Sequence, residues 1–179
     1  MLIIEVPANE LFNEATEEFI NTKKQVLQLE HSLISISKWE SKWHKVFLSK
    51  TPKTNEQLID YVRCMTINAN VEPQVYSALT SQNLMDIDRY INDPMSATFF
   101  AKEKESPGGE PMTSELIYYW LVHFQIPWEV EKWHLNRLLN LIRIAKMKTS
   151  TKNKRSKRDI MSQNAALNAA RREAWGTSG

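Results

Sequence analysis

The sequence predicts a mainly α protein: a helical domain with a small N-terminal antiparallel β element and a basic C-terminal tail ending in a helix. Three observations carry that prediction. Period-two alternation of apolar residues is confined to about the first thirty positions, and helical spacing governs the body after it. The composition then turns basic at Lys146.

The β element is expected over residues 1–30. LIIEV at 2–6 is a short apolar strand closed by Pro7. A second strand near 10–13 and a third near 19–20 flank a turn at 14–18, and QVLQLE at 25–30 places Leu27 and Leu29 on one face. From Ser32 the period changes. Ile36, Trp39, Trp43 and Phe47 recur at helical spacing, with Ser32 or Ser35 as the cap.

Further helices follow in order. Thr54 with Gln57 forms a capping box ahead of Leu58, Tyr61, Val62 and Met65, and that helix is expected to end near residues 68–70. Pro73 suits the first turn of a short helix through Leu79. Ser81 is the expected cap of the next, which carries Leu84, Ile87 and Ile91 and stops at Pro94. The stretch 102–112 concentrates glycine, proline and charge, which predicts a mobile loop over 101–112. LIYYWLVHF at 116–124 is apolar on nearly every face, so a central core position is expected. Residues 129–146 read as the last body helix, with Val130, Trp133, Leu138, Leu141, Ile142 and Ala145 on one broad face.

A chain of 179 residues suits one such domain, assigned to residues 1–145, with residues 146–179 as an extension. The extension should be unstructured in isolation from Lys146 before a thin amphipathic helix over 156–174. Residues 1–145 carry 14 Lys and Arg against 19 Asp and Glu, whereas 146–179 carry nine against two. A basic tail on a weakly acidic body meets something acidic or stays solvated. The single cysteine, Cys64, excludes an internal disulfide framework and reads as packing. The N-terminus lacks a signal-peptide pattern, and no apolar run is long enough for a bilayer, so no membrane association is expected.

Site chemistry is sparse. No glycine precedes Gly108, which removes phosphate-cradling loops from that region. The histidines (His31, His44, His123 and His134) form no i, i+4 pair, and no nucleophile motif occurs, so neither metal nor cofactor nor catalytic residue is assigned. The residues that remain as partner-binding candidates are Trp39, Trp43 and Trp133 with the cations Lys152, Lys154, Arg155, Lys157 and Arg158. The tryptophans read either as core rings or as interface anchors. The cations suit phosphate contacts, yet no aromatic is interleaved before Trp175, so nucleic acid is not the expected partner.

Four segments carry a resemblance: LEHSLISISKWESKWHKVFLSKTPKT, LIDYVRCMTINANVEPQVYSALT, TSELIYYWLVHFQIPWEVEKWHLNRLLNLIRI and SKRDIMSQNAALNAARRE. Together they resemble the tail assembly chaperones of long-tailed bacteriophages, over roughly residues 2–172. The most specific blocks are 29–50 and WHLNRLLNLIR at 133–143. The resemblance implies a non-enzymatic protein of virion morphogenesis in the host cell cytoplasm. Such a protein binds the tape measure protein, keeps it soluble and helps tail tube protein polymerise around it, and homo-oligomers or a frameshifted longer form accompany it. Two other readings stay open: a structural virion component such as a neck or tail completion protein, and a nucleic-acid-binding protein acting through the basic tail.

Overall fold

The computed structural model describes residues 1–13, 18–98 and 111–150, together with Met161. β1 (Leu2–Val6) pairs antiparallel with β4 (Gln25–Leu29), and β2 (Asn9–Asn13) pairs antiparallel with β3 (Glu18–Thr22). Leu2 lies opposite Leu29 and Asn9 opposite Thr22, so both ladders keep one register and form two halves of a single long hairpin. The ladder breaks beside Pro7, which has no N–H to contribute. Ile4, Val6, Leu27 and Leu29 point from one face of the hairpin base into the core, as the alternation predicts. The outer edge of β4 is covered by the chain leaving the second helix: the Ile67 N–H donates to Gln28 O at 2.8 Å and the Glu30 N–H to Met65 O at 2.9 Å.

α1 (Leu33–Trp43) starts at Ser32, whose hydroxyl accepts from the Ser35 N–H while Ser35 returns the bond, so both candidate caps serve one capping box. The helix ends at His44, in the left-handed conformation with φ 51°. Phe47 therefore lies beyond the helix that the spacing assigned it to. It still joins the same rings, because its N–H is held by Glu40 Oε1 at 2.8 Å. α2 (Asn55–Met65) opens on the predicted Thr54–Gln57 box and stops short of 68–70, where Asn68 turns to satisfy the β4 edge. A 3₁₀ turn at Pro73–Ala78 precedes α3 (Ser81–Asn92), which is capped by Thr80 rather than Ser81, since Thr80 finds its reciprocal partner in Asn83.

α4 (Ser114–His123) departs from expectation. Ile117 and Leu121 are fully buried, but Tyr119 and Val122 are more than half exposed, so the helix lies at the surface. The predicted helix over 129–146 is also corrected. It divides into a 3₁₀ turn at Trp128–Lys132 and α5 (Leu135–Ser150), with Trp133 extended between them. The break has a tertiary cause: Ser32 and His134 form a β-bridge, and the Leu135 N–H donates to His31 O at 2.7 Å. α5 continues past Lys146, where the basic composition suggested loss of structure. Met and Lys are adequate helix formers, and cations suit a helix C-terminus.

Residues 1–143 form one compact unit and the chain from Ile144 a second. The centre of the first is built by Leu27, Leu29, Leu33, Ile36, Trp39, Tyr61, Met65, Ile117, Leu121, Leu135 and Leu138. The predicted loop through residue 110, the cations Lys152, Lys154, Arg155, Lys157 and Arg158, and the predicted helix over 156–174 (Met161 excepted) lie outside the described residues.

Candidate partner-binding surfaces

The tryptophans of α1 face inward. Trp39 is 1% exposed, donates its Nε1–H to Gln57 O at 2.9 Å and meets Phe47 edge to face at 5.1 Å. Trp39 is thus a core ring and cannot act as a surface anchor. Trp43, half-buried, donates its Nε1–H to Asp60 Oδ2 at 2.9 Å. Asp60 also takes the Lys42 ammonium. Burial pushes the Asp60 carboxyl up, but the hydrogen bonds from Lys42 and Trp43 and the nearby cations outweigh it and leave the group below its ordinary value. Trp133 is half-buried as well, with the Arg137 guanidinium 4.2 Å from its ring centroid. Trp39 and Trp43 share one ring cluster, 6.2 Å between centroids, and Trp133, like Trp43, packs against the same hydrophobic core.

Beside that cluster, two histidines meet inside the protein. His31 Nδ1 lies 2.6 Å from the Tyr61 hydroxyl, and the His31 and His134 rings are 5.1 Å apart in an edge-to-face contact. His134 Nε2 sits 2.9 Å from the Tyr90 carbonyl oxygen, which only accepts, while Nδ1 accepts from the Asn136 N–H. Those partners assign the neutral Nε2–H tautomer. Burial, and then the neighbouring His134, lower the His31 pKa to about 3. Burial also lowers that of His134, against the raising effect of its Tyr90 bond and of Glu30 and Asp93. Among the described residues, no group of three or more His, Cys, Asp or Glu side chains is arranged to hold a metal ion.

Among the described residues of the first unit, a groove and a helix face leave apolar side chains open. Between α2 and α3 runs a groove of about 450 Å³, walled by Leu58, Ile59, Val62, Leu84, Ile87 and Ile91. Phe47 and Tyr61 also line it, and Asn55 and Asp88 are its polar members. Leu58 and Leu84 remain 46% and 44% exposed. The sequence marks these as ordinary helix stripes. Their incomplete cover has a faint signal in α2, where Leu58, Ile59, Tyr61, Val62 and Met65 spread wider than a single packing face needs.

The second surface lies on α4 and the 3₁₀ turn after it. Val122 is 61% and Trp128 55% exposed, Tyr119 stacks on His123, and Tyr118 packs against Trp128 at 5.7 Å. The Tyr118 hydroxyl donates to Glu131 at 3.0 Å. Burial and this carboxylate push its pKa up to about 12.

No protein-family model, curated protein or solved structure matches the chain. No helix among the described residues is long and apolar enough to cross a membrane.

Proposed function

We propose that this protein is a non-enzymatic tail assembly chaperone of a long-tailed bacteriophage, working in the host cytoplasm. It seats an amphipathic helical segment of the tape measure protein in the α2–α3 groove, holds that client soluble and hands it to polymerising tail tube protein. The observation that supports this most is the groove itself. Its aliphatic walls, contributed by two helices, suit a third helix presenting apolar residues at i, i+3, i+4 and i+7. Covering Leu58 and Leu84 would gain about 25 cal/mol per Å² of apolar surface removed from water, a driving force independent of fine side-chain matching. A client with many similar amphipathic segments is best served by such a permissive surface.

Co-expression with the tape measure protein tests the proposal. The client should be recovered in the soluble fraction with this chain and aggregate without it. Equal aggregation in both cases would refute the role. Mass spectrometry of purified particles separates the chaperone from a virion component, which would be present at a fixed stoichiometry.

A further inference from the structure

The connection between α1 and α2 is basic in an acidic body. From Ser41 to Asn55 the chain holds Lys42, Lys45, Lys50 and Lys53 with His44 and no acid, whereas acids outnumber cations over residues 1–145. Lys42 is paired with Asp60. Lys45 and Lys53 instead line a pocket of about 270 Å³ beside the start of α2, with Trp39, Val46 and Pro52 as its apolar wall. Among the described residues no carboxylate forms an ion pair with either ammonium. Glu40 and Glu115 line a neighbouring hollow that Lys45 also borders, and Glu40 is engaged there by the Phe47 and Ser114 N–H groups. Lys53 rests over the Phe47 ring at 4.8 Å, and burial lowers its pKa, so the ammonium gains from a counter-anion. Gln57 adds an independent sign of a ligand. It lines the same pocket and is 3% exposed. Its Oε1 accepts from the Thr54 N–H at 3.1 Å, which leaves the amide nitrogen facing away from that cap, and among the described residues no acceptor takes the Nε2 group. A buried donor without an acceptor is costly, and it marks a place where a ligand can bring one.

We propose that this pocket binds a carboxylate carried on a short apolar stem. The carboxylate oxygens accept from the Lys45 and Lys53 ammoniums and the Gln57 amide, and the stem lies against Trp39, Val46 and Pro52. Phosphate is the poorer fit. The pocket holds no arginine fork and no glycine for close backbone approach, and its apolar wall gains nothing from an anion without a stem. A free organic acid and the C-terminal carboxylate of a leucine-ended peptide share the required chemistry. The site has no lining residue in common with the α2–α3 groove and does not depend on the proposed client.

Nitrogen-edited NMR titrations of the full chain test this with N-acetyl-leucine, its uncharged amide, inorganic phosphate and a tetrapeptide ending in leucine. N-acetyl-leucine should shift the Gln57 side-chain amide and the Trp39 indole N–H with a Kd of about 1 mM, and its amide and phosphate should bind at least ~10-fold more weakly. A tetrapeptide that binds at least ~10-fold tighter than N-acetyl-leucine identifies a peptide C-terminus as the ligand, and a smaller difference identifies a free acid. Lys45→Ala and Lys53→Ala should each weaken the acid at least ~5-fold. Gln57→Glu keeps an acceptor for the Thr54 N–H, so the helix cap persists, and it replaces the amide donor by a charge that repels the carboxylate. This variant should lose binding while its thermal midpoint stays near that of the wild type; where it unfolds, the two lysine variants decide. Equal binding of the acid and its amide overturns the proposal. So do phosphate binding as tight as that of the acid, an unmoved Gln57 amide, or lysine variants that bind like the wild type.

Discussion

The His31 and His134 rings meet edge to face, 5.1 Å between centroids, and join the two segments on which the resemblance rests most heavily. The junction is covalent in neither direction. It consists of the ring contact, the Ser32–His134 bridge and the bond from the Leu135 N–H to His31 O. The entry to α1 and the entry to α5 are thereby fixed to each other, and Tyr61 and Tyr90 hold the two imidazoles from α2 and α3. Four helices are tied at this point.

The pair predicts a pH-dependent stability. The His31 pKa falls from 6.5 in the unfolded chain to about 3 in the folded one, and that of His134 also falls. Below pH 6.5 the unfolded state therefore binds more protons. The stabilisation is complete above 6.5 and declines as pH drops toward 3. Urea titrations at pH 7.5 and pH 5 should differ by roughly 2 kcal/mol from His31 alone. Few carboxylates of ordinary pKa protonate in that interval. A pH-independent midpoint would refute a neutral buried pair.

The tryptophans of α1 should separate by their roles. Trp39→Ala opens a cavity in the core and is expected to cost roughly 3–5 kcal/mol. Trp43→Phe keeps an aromatic ring of smaller volume at a half-buried position and removes one donor from Asp60, which retains Lys42, so a cost of about 1–2 kcal/mol is expected. Chemical denaturation of both variants checks the order.

Glu40 is the least obvious structural residue. Its buried carboxylate accepts the Phe47 N–H at 2.8 Å and the Ser114 N–H at 2.7 Å, tying the end of α1 to the start of α4. Glu40→Ala strands two buried donors and should cost about 2–4 kcal/mol. Hydrogen exchange should speed up at both amides before the rest of the core. Unchanged exchange at Ser114 would show that the carboxylate does not hold α4.

How much of this was legible in the sequence follows from the range of each interaction. The Thr54 capping box is a contact between i and i+3 and was readable, whereas Ser32 and Ser35 were readable only as alternative caps and the structure uses both in one box. The alternation of β1 and β4 was readable too, but their pairing and the common register of the hairpin depend on partners far along the chain. The division of 129–146 into two elements could not be foreseen, because the bonds that break it lead to His31 and Ser32. α4 misled for a related reason: an apolar helix looks the same in sequence whether its outer face is covered or left for a partner. Of the candidate site residues, Trp39 follows the core reading rather than the anchor reading, and the groove-lining Leu58 and Leu84 emerged only from the placement of α2 and α3.

Leu58→Asp with Leu84→Asp is a clean probe of the groove, since both side chains are already about half in water. Thermal stability should change little, within about 1 kcal/mol. Binding of a hydrophobic dye to the folded protein should fall. A large loss of stability would mean that the groove is closed in solution.

The most direct measurement is calorimetric titration of a helical tape measure fragment into the wild type and into the Leu58→Asp, Leu84→Asp double variant. Groove binding predicts a negative heat-capacity change with the wild type and an affinity at least ~100-fold weaker with the variant. Equal affinity for both proteins, or no binding to the folded wild type, would contradict it.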